Sequence, residues 1–127
     1  MILGIGVDLV SIPRVAAVWQ RHGERFARRV LSDREWPDYL ASQRPERLLA
    51  KRFAAKEALA KALGTGVRGA MTFQAVSVLH DPLGAPALHL HGDLALQAQN
   101  RGIGRMHLSL SDEREATLAF VVLESLV

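Results

Sequence analysis

A chain of 127 residues, 49% of them hydrophobic and 23% charged, is long enough for one core and too apolar for a disordered tail. It has no cysteine, which excludes a disulfide scaffold, a thiol nucleophile and Cys-ligated metal, and no apolar run approaches the ~20 residues of a spanning helix. Charge is uneven: residues 1–63 hold 12 Lys/Arg against 7 Asp/Glu, residues 64–127 hold 4 against 6, and five arginines between Arg14 and Arg29 face the single acid Glu24.

The segment Ile2–Val10 alternates, with Ile5, Val7 and Leu9 on one face and Gly4, Gly6 and Asp8 on the other, which predicts a strand. It opens without a basic region and meets an acid at Asp8, so it does not read as a signal peptide, and a soluble cytoplasmic protein is expected. Ser11-Ile12-Pro13 reads as a cap and an early-helix proline, and Val15, Trp19, Phe26 and Val30 form a helical stripe interrupted at Gly23. Ser32 and Glu35 form a capping box that starts a short helix near Leu31. Pro45 begins the longest helix, which runs to Leu63 and stops at Gly64.

Beyond it, Ala75–Leu79 and Ala87–His91 flank the turn Asp81-Pro82-Leu83-Gly84 as hairpin arms. A short helix at Asp93–Gln99 and strands at Met106–Ser111 and Thr117–Leu123 complete the chain. The order predicts a single α+β domain over residues 1–127, a mostly antiparallel sheet packed against a long central helix.

Three sets of residues carry chemistry. Asp8 shares a face with two glycines, which leaves room for a ligand or another backbone, or else it ends the strand or pairs with an arginine. On the long helix Phe53, Glu57 and Lys61 line one face at i, i+4 and i+8, while Ala54, Ala55, Ala58 and Ala60 keep the neighbouring surface bare. Glu57 and Lys61 are either a surface ion pair or part of a site, and Gly64-Thr65-Gly66 is either a helix stop or a loop offering N–H groups to a phosphate. No Gly-Lys-Ser/Thr is present, so this is not a Walker loop. Finally, Arg14, Arg21, Arg25 and Arg28 recur on one side if the helix resumes after Gly23, and form either a solvated face or a docking surface for an acidic protein. Aromatics at 6% and the local confinement of the charge speak against nucleic acid as the partner. His89 and His91 share a strand face without a third metal ligand nearby, and His107, Ser109 and Asp112 lack the elbow and oxyanion donors of a triad.

Gly4-Ile5-Gly6-Val7-Asp8, Phe53-Ala54-Ala55-Lys56-Glu57-Ala58 and Lys61-Ala62-Leu63-Gly64-Thr65-Gly66 resemble the two signature blocks of the 4′-phosphopantetheinyl transferases. Length and segment order are similar to the small bacterial branch, the holo-[acyl-carrier-protein] synthases. The resemblance spans nearly the whole chain, including Arg28–Ser32 and the Asp81–Pro86 turn. It implies transfer of phosphopantetheine from coenzyme A to a serine of apo acyl carrier protein in support of fatty acid biosynthesis, releasing adenosine 3′,5′-bisphosphate. The alternative is a coenzyme A-binding protein of the same fold without transferase activity.

By resemblance, Asp8 and Glu57 hold Mg²⁺, with Glu57 also orienting or deprotonating the serine. Lys61 and Gly64-Thr65-Gly66 hold the phosphates, Arg52 is a further coenzyme A contact, and Lys61 joins Glu57 as a catalytic residue. Arg14, Arg21, Arg25 and Arg28 dock the carrier protein, and homotrimers with active sites between subunits are implied. Many members have a histidine at or near the position of Asp112; an acid there makes no such phosphate contact, so no catalytic histidine is carried over.

Overall fold

The computed structural model describes residues Met1–Val127. Strand β1 (Ile2–Ser11) leads into helix α1 (Ile12–His22), capped by the Ser11 hydroxyl, which accepts the Arg14 N–H at 3.3 Å. The apolar stripe continues into α2 (Glu24–Val30), but Gly23 between them has φ 56°, so the two helices do not share an axis. A 3₁₀ turn at Asp33–Glu35 precedes the short helix α3 (Trp36–Ala41), so the helix expected from Leu31 starts later, with Pro37 in its first turn. Helix α4 spans Pro45–Leu63 and ends at Gly64 in the left-handed conformation, as the sequence predicts.

A second 3₁₀ turn (Phe73–Ala75) is followed by β2 (Val76–His80), β3 (Pro86–Leu90), α5 (Gly92–Asn100), β4 (Ile103–Asp112) and β5 (Ala116–Ser125). All pairing is antiparallel, in a three-stranded sheet of order β1-β5-β4 and a separate β2-β3 hairpin. Strands β4 and β5 outrun their predicted bounds because they pair along nearly their full length, from Ile103 with Ser125 to Asp112 with Thr117. This α+β arrangement around a long helix is the expected fold.

Helix α4 is enclosed on most sides. Leu49, Ala50, Ala54, Ala55, Ala58, Leu59 and Ala60 are completely buried. Its alanines therefore do not form a bare surface; they let neighbouring elements come close. Against them lies the glycine face of β1: a Cβ at Gly4 would overlap the Ala62 carbonyl oxygen, and one at Gly6 the Ala58 carbonyl oxygen. The room beside Asp8 is filled by another backbone. With the glycines inward, the apolar members of β1 face out. Ile5, Val7 and Leu9 are exposed, and across the ladder Val7 pairs with Phe120 and Leu9 with Leu118, both also exposed. The sheet thus turns a continuous apolar face to solvent.

Candidate functional site

The site forms where the end of β1 crosses the last turns of α4. Close contact through Gly6 brings Asp8 beside the helix, where Lys61 Nζ donates to Asp8 Oδ1 at 2.9 Å and to the Val7 carbonyl at 3.0 Å. The Asp8 side chain is 16% exposed and that of Lys61 54%. One turn earlier on the same face, Glu57 is half-buried. Burial raises its pKa above the usual carboxylate range, the Asp8 charge raises it further, and Lys61 opposes both. Two acids and one cation thus meet where the sequence predicts them. Lys61 pairs with Asp8, which removes the reading of Glu57–Lys61 as an isolated surface ion pair.

From this cluster a groove runs along α1. A cavity of about 340 Å³ is lined by Asp8, Ser11, Arg14, Val15, Phe53 and Glu57, among others. Across Val18, Phe26 and Phe53 it joins a second of about 480 Å³, whose rim carries His22, Arg25 and Arg29. Phe53 is set in the wall by Phe73, ring centroids 5.3 Å apart. The acids lie at one end of the groove and cations along its length.

The arginine stripe does not survive intact. Because Gly23 breaks the helix, the spacing that would align Arg14, Arg21, Arg25 and Arg28 is lost. Arg14 and Arg25 line the groove, joined by Arg29, while Arg28 stacks over the Trp36 ring at 4.0 Å and does not line it. Arg21 is exposed. Arg29 is the groove residue that periodicity across an unbroken helix passes over.

Arg52 is not at this site. Five residues before Glu57, it points about 140° round the helix axis. Its guanidinium is buried, donating to the Val78 carbonyl at 2.7 Å, to Glu35 at 3.4 Å and to Asp38 at 3.3 Å. Burial lowers its pKa against the pull of both acids. It lines a separate basic cavity of about 260 Å³ with Arg44, Arg47, Lys51 and His80. Burial, then the Arg52 charge, lowers the pKa of His80.

In Gly64-Thr65-Gly66 the N–H groups of Gly64 and Gly66 return to the carbonyls of Lys61 and Ala60, at 3.0 and 3.3 Å. The segment is a helix stop in its hydrogen bonding, and these two N–H groups are not offered to a ligand. Asp112 also has a structural assignment. It pairs with Lys51 at 2.8 Å and accepts the Thr117 hydroxyl at 2.9 Å. Burial would raise its pKa, but those bonds hold it low. His107 pairs with Glu124 at 3.0 Å and not with Asp112, and His91, considered with His89 as a metal pair, bonds the Ser77 hydroxyl at 2.6 Å.

Residue-by-residue reading misses one group beneath the site. Lys56, beside Glu57 in sequence, is completely buried, with Nζ donating to Glu35 Oε1 at 2.5 Å, to the Val30 carbonyl at 2.7 Å and to the Phe73 carbonyl at 2.8 Å. Glu35 also accepts the N–H groups of Ser32 and Val78. The signal is its helical neighbourhood: Leu49, Leu59, Ala60 and Leu63 share its face, so a cation there must be paired.

A family model described as the 4′-phosphopantetheinyl transferase superfamily matches residues 4–123. The chain is 53% identical over 124 residues to the holo-[acyl-carrier-protein] synthase of Nitrosospira multiformis, covering 98% of this chain and 99% of that protein. Among solved structures, the holo-[acyl-carrier-protein] synthase of Neisseria meningitidis superposes with a TM-score of 0.95 at 45% identity, over 98% of this chain and all (100%) of the other. The Bacillus anthracis enzyme, solved in complex with CoA (3′,5′-ADP), gives 0.80 at 34% identity over 98% of both chains.

Proposed function

The chain belongs to the 4′-phosphopantetheinyl transferase superfamily, and from that premise we propose that residues 1–127 act as one domain transferring 4′-phosphopantetheine from coenzyme A to a serine of apo acyl carrier protein, in the cytoplasm and in support of fatty acid biosynthesis. The observation that carries this reading is the meeting of Asp8, Glu57 and Lys61 at the acidic end of a cation-lined groove.

In the reaction the serine oxygen bonds the phosphorus that carries pantetheine. The bridging P–O bond of the pyrophosphate breaks, and its electron pair leaves with adenosine 3′,5′-bisphosphate. Glu57, on the face of α4 that lines the groove, orients the serine hydroxyl or takes its proton. Lys61 offsets negative charge on the phosphates. Asp8 and Glu57 would also hold Mg²⁺: two hard-oxygen donors that raise each other's energy suit an ion that takes one or two carboxylates and fills its shell with water and phosphate. When bound, such an ion neutralises pyrophosphate charge. Gly64-Thr65-Gly66 lies next to Lys61 and, lacking side chains at two positions, lets the phosphates approach.

The groove cations Arg14 and Arg25 receive the acidic carrier protein, with Arg21 and Arg28 as outlying members of that surface. A homotrimer covers the exposed apolar face of Ile5, Val7, Leu9, Leu118 and Phe120, and places the active sites between subunits. Arg52, too far round α4 to serve its own Glu57, then acts through its basic cavity on coenzyme A held by a neighbouring subunit. Sedimentation velocity is expected to give a trimer; a monomer at micromolar concentration would remove both the assembly and the role of Arg52.

Intact mass spectrometry of apo acyl carrier protein, incubated with this protein, coenzyme A and Mg²⁺, tests the function. One phosphopantetheine should be gained, none in EDTA, and the gain should slow at limiting carrier when Arg14→Glu replaces the native chain. Coenzyme A binding without any gain in mass would favour the binding-only reading. Undiminished transfer by Arg14→Glu would overturn the docking surface.

A further inference from the structure

The Gly64–Gly66 segment lies at the wrong end of a helix for an anion. Carbonyl groups at the C-terminus of α4 present partial negative charge, and the Gly64 and Gly66 N–H groups are bonded back to the helix. A pyrophosphate there must be held by cations. Two belong to the helix and its own loop: Lys61, and Arg68, whose Nε donates to the Thr65 carbonyl at 2.7 Å. A third comes from elsewhere in the fold. Arg101, at the end of α5, sends Nη1 to the Leu63 carbonyl at 2.9 Å. Arg101, Arg68 and Thr65 line one small cavity, and neither arginine is paired with a carboxylate.

We infer that Arg101 is a positioning residue for coenzyme A, occupying the last carbonyl of α4 and offsetting the negative helix end so that the adjoining segment accepts the pyrophosphate. This rests on the reading that Lys61 and Gly64–Gly66 take the coenzyme A phosphates. The bond to Leu63 gives Arg101 a fixed place, and its guanidinium brings positive charge to the small cavity that Thr65 also lines. Its effect is on binding of the phosphates and not on proton transfer at Glu57.

The test is steady-state kinetics of the full-length protein with coenzyme A and carrier protein varied separately. Arg101→Met is expected to raise the KM for coenzyme A about five-fold, with kcat and the KM for carrier protein within about two-fold of native. Arg101→Lys, which keeps the charge, should restore most of the loss; Arg101→Gln, which keeps a donor to Leu63 without charge, should not. An unchanged KM for coenzyme A in Arg101→Met overturns the inference. So does a parallel loss in all three parameters with a lowered unfolding midpoint that Arg101→Lys fails to rescue, since that marks a merely structural contact. Lys61→Met separates the two levels. If it raises the KM for coenzyme A while Arg101→Met does not, only the inference about Arg101 falls; if neither raises it, the phosphate assignment of the whole segment falls too.

Discussion

Glu57→Gln is expected to lower kcat for phosphopantetheine transfer by about 10³-fold, within the range for loss of a positioned proton acceptor. The substitution keeps the shape of a half-buried side chain and removes its charge. Fold and stability should survive, because the native carboxylate is strained by burial and by Asp8. In the folded protein Glu57 keeps its proton to higher pH than in the unfolded chain, so its ionisation lowers stability as pH rises from the ordinary carboxylate range through its raised folded pKa. That pH-dependent loss should be absent in Glu57→Gln. In the native enzyme kcat/KM should fall with falling pH as Glu57 takes up its proton, a limb that Glu57→Gln should lack. Single-turnover mass spectrometry and urea unfolding at several pH values check these outcomes; near-native kcat in Glu57→Gln would defeat the assigned role.

Lys56→Met should be the most damaging single change to stability, costing about 3–5 kcal/mol, the usual effect of removing one partner from a buried ion pair. It leaves Glu35 without its closest donor and strips hydrogen bonds from the carbonyls of Val30 and Phe73, which belong to the walls of the larger cavity. Burial lowers the Lys56 pKa from its ordinary 10.5 to about 8 despite Glu35. Between those values the unfolded chain holds more protons than the folded one, so this group's contribution to stability increases with pH across that interval. Lys56→Met should abolish that alkaline slope as well as lower the urea midpoint. A loss below about 1 kcal/mol would show that the network relaxes around the missing ammonium.

The two changes concern adjacent residues with opposite fates, and that contrast marks how far the sequence can be read. Glu57 was legible because a helix places it on one stripe with Phe53 and Lys61, and helical phase is a local property. Lys56 lies one residue earlier on the buried side, and its partner Glu35 comes from a separate turn. The capping box shows only the bond from the Ser32 N–H to Glu35, not those from Lys56, Arg52 and Val78. Arg52 illustrates the same limit: its bonds to Glu35, Asp38 and Val78 reach three separate elements, and no local pattern in the sequence shows them.

By itself the sequence determined the strand that carries Asp8, the bounds of α4, the common face of Glu57 and Lys61, and the α+β order, since each depends on short-range periodicity and on the stops set by proline and glycine. Tertiary structure alone decided that the glycine face of β1 packs inward and its apolar face outward, and that Arg28 stacks on Trp36 while Arg14 and Arg25 line the groove. It also decided that Asp112 is held by Lys51 and that Arg101 reaches the end of α4. Alternation fixes which residues share a face but not which face meets the core. That choice follows from steric fit between elements distant in the chain, where only a strand without side chains can lie against the carbonyls of Ala58 and Ala62.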